Sequence, residues 1–114
     1  MGYNHRAMYL TVAQTSIFQK AVSAIWSEQE LDRFINWIAL NPLAGDVIPG
    51  SGGLRKVRWS ASSRGKRGGA RVIYYNLLED QTVWLLIIYT KARLDNLPAN
   101  VLKELSNVIP KKNR

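Results

Sequence analysis

The spacing of hydrophobic positions changes along the chain, and each change marks an element. Ala7 to Val12 (A-M-Y-L-T-V) predicts a first strand. From Ser16 the spacing turns helical, with Phe18, Ala21, Val22 and Ile25 on one side and Ser16 with Gln19 placed as a capping box. A second helix opens at Ser27, where Glu30 stands three residues on as the box partner. Leu31, Phe34, Ile35, Ile38 and Ala39 then form an apolar stripe at i, i+3, i+4, i+7 and i+8. Asn41-Pro42 ends that helix, because a residue before proline is steered out of helical backbone. Almost no loop separates the two helices, so they predict a helical hairpin packed on one face of a sheet.

The second half changes to strand spacing. After a Gly- and Pro-containing loop over 41–53, Leu54 to Ser60 alternates: Lys56 and Arg58 point to one face, Val57 and Trp59 to the other. Ala70 to Leu78 predicts its partner strand, and Glu79-Asp80-Gln81 a tight turn. Thr82 to Tyr89 (T-V-W-L-L-I-I-Y) is apolar almost throughout, as a strand covered on both faces must be. Short connections make these three strands an antiparallel meander. Pro98 opens a short last helix with Val101, Leu102, Leu105 and Val108 on its apolar side, and Pro110 stops it. Trp26, Trp37, Trp59 and Trp84 fall in apolar patterns and belong to the core. The order β-α-α-β-β-β-α is of class α+β: a small antiparallel sheet, an N-terminal helical hairpin and a short C-terminal helix. One domain spans 1–114, with 1–7 and 110–114 as loose ends.

Charge narrows the choice of partner. Sixteen Lys and Arg against eight Asp and Glu give a net charge of +8 in 114 residues, which calls for an anionic partner. There is no cysteine, so thiol nucleophiles, disulfides and zinc–thiolate sites are excluded. That usage fits the cytoplasm. No apolar run has membrane-spanning length, and no signal-peptide pattern opens the chain.

The positive charge is concentrated between Gly50 and Tyr75, where Arg55, Lys56, Arg58, Arg64, Lys66, Arg67 and Arg71 stand without one acidic residue. Residues two apart in a strand lie about 7 Å from each other, close to the spacing of successive phosphates. Gly65, Gly68 and Gly69 let the loop backbone approach a ligand. Fixed cations on strands, further cations on the loop and nearby tyrosines suit RNA. A P-loop is excluded, since no Gly-Lys-Ser/Thr follows Gly50; a dinucleotide fingerprint is excluded, since a strand and not a helix follows Gly53.

The segments N-P-L-A-G-D-V-I-P-G-S-G-G-L-R-K-V-R, G-K-R-G-G-A-R-V-I-Y-Y and I-Y-T-K resemble the RelE superfamily of bacterial toxins, and within it the HigB-type members of toxin–antitoxin pairs. The resemblance covers roughly residues 8–105. It implies a RelE-like fold, a cognate antitoxin as partner, and cleavage of messenger RNA in the ribosomal A site. Such cleavage proceeds by attack of the RNA's own 2′-hydroxyl, without metal or cofactor, and inhibits translation. It needs a base, an acid and cations for the developing charge. His5, the one histidine, lies in the loose N-terminal end, and the carboxylates form no pair, so Lys, Arg and Tyr are left. On the resemblance, Lys56 is the candidate base, Arg71 grips the scissile phosphate, and Lys91 stabilises charge or protonates the leaving oxygen. Arg55, Arg58, Arg64, Lys66 and Arg67 are expected to bind the RNA backbone, and Tyr74, Tyr75 and Tyr89 to lie against bases. The chain departs from the family where Ala92 replaces an arginine, and no tyrosine follows Tyr89, where some members carry a catalytic one. Two other readings share these features: a ParE-type gyrase inhibitor and a non-catalytic RNA-binding module. The dense basic set on the strands counts against the first of these.

Overall fold

The computed structural model of the chain describes residues 10–60, 69–90, 103–105 and 107. Within them the chain forms strand β1 (Thr11–Gln14), helix α1 (Ser16–Val22), helix α2 (Glu28–Leu40), strands β2 (Asp46–Val47), β3 (Arg55–Trp59) and β4 (Ala70–Leu77), a single 3₁₀ turn (Leu78–Asp80) and strand β5 (Thr82–Thr90). The five strands make one sheet in the order β1-β5-β4-β3-β2. The expected antiparallel meander is β3-β4-β5. The sheet is nevertheless mixed, because β1 joins its edge parallel to β5, with Thr11 opposite Thr82 and Gln14 opposite Leu85. Parallel neighbours need a long connection, and here everything from α1 to β4 lies between them. β2 is a two-residue strand inside what the sequence presents as loop, paired with the start of β3.

The helices start where their caps require. Thr15, and not Ser16, caps α1: its Oγ1 accepts from the Phe18 N–H at 3.0 Å. The same hydroxyl donates to the Leu86 carbonyl at 2.8 Å, which ties the helix start to β5. Ser27 caps α2 as expected, accepting from the Glu30 N–H at 3.1 Å. The Glu30 carboxylate does not complete the box; it bonds Trp59 and Arg33.

The sheet has a packed layer on each side. On the helix side Phe18, Val22, Trp26, Phe34 and Ile38 meet Val57, Ala70, Val72, Tyr74, Val83, Leu85 and Ile88. Phe34 is the hub, with ring centroids 5.2 Å from Trp26, 6.1 Å from Trp37 and 5.3 Å from Trp59. Truncating such a fully buried ring to alanine costs about 3–5 kcal/mol. On the other side Leu54, Ile73, Leu86, Tyr89 and Leu105 form a second, smaller cluster. All four tryptophans lie in these layers, Trp26 buried and the others partly so. Residues 103–105 are helical and carry Leu105 onto that second side, and Asn107 follows as a turn residue whose N–H donates to the Glu104 carbonyl at 3.1 Å; the rest of the expected last helix lies outside the described residues.

One irregularity decides which side chains share a face. Between Ile73/Tyr74 and Ile87/Leu85 the β4–β5 register skips Leu86. An extra residue in one strand shifts the alternation beyond it. Leu85 and Ile88 therefore both join the helix side, while Leu86 and Tyr89 join the other. Among the described residues, no helix is long and apolar enough to cross a membrane.

Candidate functional site

Strand alternation sorts the cations of the hairpin. Val57 and Trp59 pack on the helix side, so Lys56 and Arg58 are turned to the opposite face. In the β3–β4 register Arg58 stands directly across from Arg71, and Lys56 across from Ile73. Directly opposed residues share a face with Cβ atoms about 5 Å apart. Lys56, Arg58 and Arg71 thus form a triangle of cations on the face away from the helices. Arg58 is exposed; Lys56 and Arg71 are half-buried. Two arginines directly opposite repel and weaken the ladder, so the arrangement is not one that sheet stability favours. It gathers positive charge at the end of the sheet where β3 ends and β4 begins. A guanidinium grips two oxygens of a phosphate at once, and a lysine supplies a point charge or, when neutral, a base.

The segment carrying Arg64, Lys66 and Arg67 joins Ser60 to Gly69 at this same end, and Lys91 follows Thr90 of β5. These four candidates lie outside the described residues. So does His5. Gly69 closes the described part of the hairpin at φ +40°, and a Cβ there would lie 2.9 Å from the Trp59 carbonyl oxygen.

Arg55 is not part of the cation triangle. It shares the helix-side face with Tyr74, its register partner. Its Nη1 donates to the Gly45 carbonyl at 2.6 Å and to the Leu43 carbonyl at 3.3 Å. These bonds hold the 42–45 turn against the sheet, on the face opposite the cation triangle. Tyr74 does the same work. It is fully buried, its hydroxyl accepts from the Gly45 N–H at 2.8 Å and donates to the Pro42 carbonyl at 2.8 Å, and Asn76 Nδ2 adds a third bond at 2.8 Å to that carbonyl. Burial pushes the Tyr74 hydroxyl above its usual value, against the smaller opposing effects of the Gly45 N–H and the Arg55 charge. No ring face is left for a base, so the expectation for Tyr74 is corrected to packing. Tyr89 lies across from Arg71 on the cationic face but is buried among Leu54, Ile73, Leu86 and Leu105. It too belongs to the core.

Among the described residues the half-buried aromatics on the cationic side are Tyr75 and Trp84, which are register partners. Trp84 packs against the second cluster, in keeping with the apolar pattern around it. The signal for both is parity counted from Lys56, and it becomes usable once the register is fixed. Among the described residues no three His, Asp or Glu side chains are gathered as a metal site.

No protein-family model matches the chain. Among solved structures, the chain is similar to the E. coli toxin RelE, in the free state of a variant with two arginines replaced by alanine. The match covers 90% of this chain and 99% of that one at 14% identity, with a TM-score of 0.62. The α+β architecture described above is thus the fold of that toxin.

Proposed function

We propose that this chain, built on the RelE toxin fold, is the toxin of a toxin–antitoxin pair and acts as a HigB-like, ribosome-dependent endoribonuclease in the cytoplasm. The observation that carries the reading is the cation triangle: Lys56, Arg58 and Arg71 on one sheet face, with Arg58 and Arg71 in direct register. Its partners are translated mRNA on the ribosome and a cognate antitoxin.

In this reading Arg71 binds the non-bridging oxygens of the scissile phosphate and Arg58 binds the backbone beside it. Lys56 takes the proton from the 2′-hydroxyl. The 2′-oxygen then bonds to phosphorus and the bond from phosphorus to the 5′-oxygen breaks, leaving a 2′,3′-cyclic phosphate and a 5′-hydroxyl. The leaving oxygen receives a proton, and Lys91 is the candidate donor. No metal or cofactor enters this sequence of steps. Cations fixed before the reaction stabilise the added negative charge of the transition state without reorganising. Arg64, Lys66 and Arg67 extend the positive surface along the RNA.

The test is induced expression followed by primer extension on cellular mRNAs, with Arg71→Ala alongside. Discrete cuts within translated frames, lost in Arg71→Ala, support the reading. Losing a bidentate contact to the transition-state phosphate corresponds to about a hundredfold in rate, or about 3 kcal/mol. Arg71→Lys restores charge but not the two-oxygen grip, so its activity recovers in part. Intact mRNA with damaged DNA would support a gyrase inhibitor instead, and intact mRNA that is bound but uncut a non-catalytic RNA-binding module.

A further inference from the structure

Among the described residues one charged side chain is buried: Glu30, at 7% exposure in the first turn of α2. Burying a carboxylate is costly unless its oxygens are bonded. Both are. Oε2 accepts from Trp59 Nε1 at 2.7 Å, and Oε1 accepts from Arg33 Nη1 at 2.9 Å. Trp59 is the last residue of β3. Its ring stands edge-on to Phe34 at 5.3 Å and lies 5.0 Å from Trp37, so α2 holds it by ring contacts as well as by the bond to Glu30.

Trp59 also makes the final rung of the β3–β4 ladder, opposite Ala70 and one step beyond the Arg58–Arg71 pair. Like charges directly opposite push two strands apart, and strand ends open first. Ala70 offers little surface to hold the end rung together. Trp59 is the side chain that does so, and it is fixed from the helix side, where it does not obstruct the cationic face.

We propose that Glu30 and Trp59 are positioning residues: the buried carboxylate–indole bond clamps the end of β3 onto α2 and so keeps Arg58 and Arg71 side by side on one RNA backbone. This rests on the RNA-cleavage reading. Neither residue touches the substrate; both act through the two arginines. Arg33, 65% exposed, orients the second carboxylate oxygen from the solvent side.

The experiment uses the full chain as Trp59→Phe, which keeps a ring and removes the N–H, as Glu30→Ala, and as Glu30→Gln, which keeps an oxygen acceptor. Amide hydrogen exchange is measured without RNA, and kcat and KM on programmed ribosomes. In Trp59→Phe and Glu30→Ala, exchange at Trp59 and Ala70, the rung that closes the β3–β4 ladder, should quicken by about tenfold while Ile73 and Leu85 keep parent protection. The same variants should lose about tenfold in kcat with KM within about twofold, because the arginine pair is held less often in register. Glu30→Gln should stay within about threefold of the parent in both readouts.

Parent-like exchange and kcat in Trp59→Phe overturn the proposal. So does exchange that quickens uniformly across β3 to β5, or a Trp59→Phe chain that does not fold, since either makes the bond a general structural requirement. A parent chain that cuts no RNA sinks the cleavage reading alone, and the exchange pattern still decides whether the clamp exists.

Discussion

The direct opposition of Arg58 and Arg71 predicts that the site and the fold pull in opposite directions. Consider Arg58→Gln, which keeps much of the side-chain stem and removes the charge. Opposed Cβ atoms stand about 5 Å apart, and the long side chains splay their charges to about 7 Å. Two unit charges at about 7 Å repel by about 0.6 kcal/mol in water, the appropriate medium because Arg58 is exposed. At physiological ionic strength the Debye length is about 8 Å, which leaves about 0.25 kcal/mol; at about 10 mM salt about 0.5 kcal/mol survives. For a chain of this size that is a rise in Tm of about 1 °C at physiological salt and about 2 °C at low salt. Cleavage should move the other way. One lost phosphate contact should cut the rate by about tenfold and reduce the salt slope of RNA binding by about one unit. The assays are thermal melts at the two salt concentrations, RNA affinity across a salt series, and cleavage on programmed ribosomes. A variant that is less stable than the parent at both salts would mean that the opposed pair does not strain the sheet, and one that cleaves at the parent rate that it does not serve the site.

Four further outcomes can be checked, the first three from particular contacts and the last from charge. Tyr74→Phe leaves the buried Gly45 N–H without its 2.8 Å partner, while Pro42 keeps Asn76, so a urea melt should give a loss of about 2 kcal/mol, with cleavage per folded molecule unchanged. Because burial raises the Tyr74 hydroxyl, its contribution is present below the ordinary value of 10.0 and lost as pH rises beyond it; melts above about pH 10 should fall less steeply in Tyr74→Phe than in the parent. Gly45→Ala puts a Cβ 2.8 Å from the Lys56 carbonyl oxygen and 2.9 Å from Tyr74 Cε1, neither of which can give way, so calorimetry should register a loss above about 2 kcal/mol. Replacing Arg64, Lys66 and Arg67 together by alanine should flatten the salt dependence of RNA binding by about two to three units of slope, and an unchanged slope would make that segment a mere connection.

Whatever depends on neighbours within one or two turns of chain was legible from the residues alone. The stripe from Leu31 to Ala39 required α2, and the Ser27 cap started it. The alternation from Leu54 to Ser60 was enough to separate Lys56 and Arg58 from Val57 and Trp59, because a strand has a period of two whatever it pairs with. The unbroken apolar run from Thr82 to Tyr89 required a covered strand. Net charge and the basic hairpin called for an anionic partner, since the sign and size of the charge are the same in any fold.

The rest depends on partners far away in the chain and came only with the packed fold. An apolar run has no alternation to reveal a bulge, so nothing local said that skipping Leu86 would turn Tyr89 toward Arg71. Tyr74 and Tyr75 are adjacent and alike in composition; only the register with Arg55 on one side and Trp84 on the other sent the first into the core and left the second half-buried on the cationic face. Arg55 looks like any other cation of the hairpin until the 42–45 turn supplies carbonyls for it. Thr15 displaced Ser16 as the cap of α1 because its hydroxyl also reaches the Leu86 carbonyl, 71 residues away. Glu30 reads as half of a capping box, yet its carboxylate turned to Trp59, 29 residues on, since an indole N–H drawn into a packed layer needs an acceptor more than an exposed helix start does.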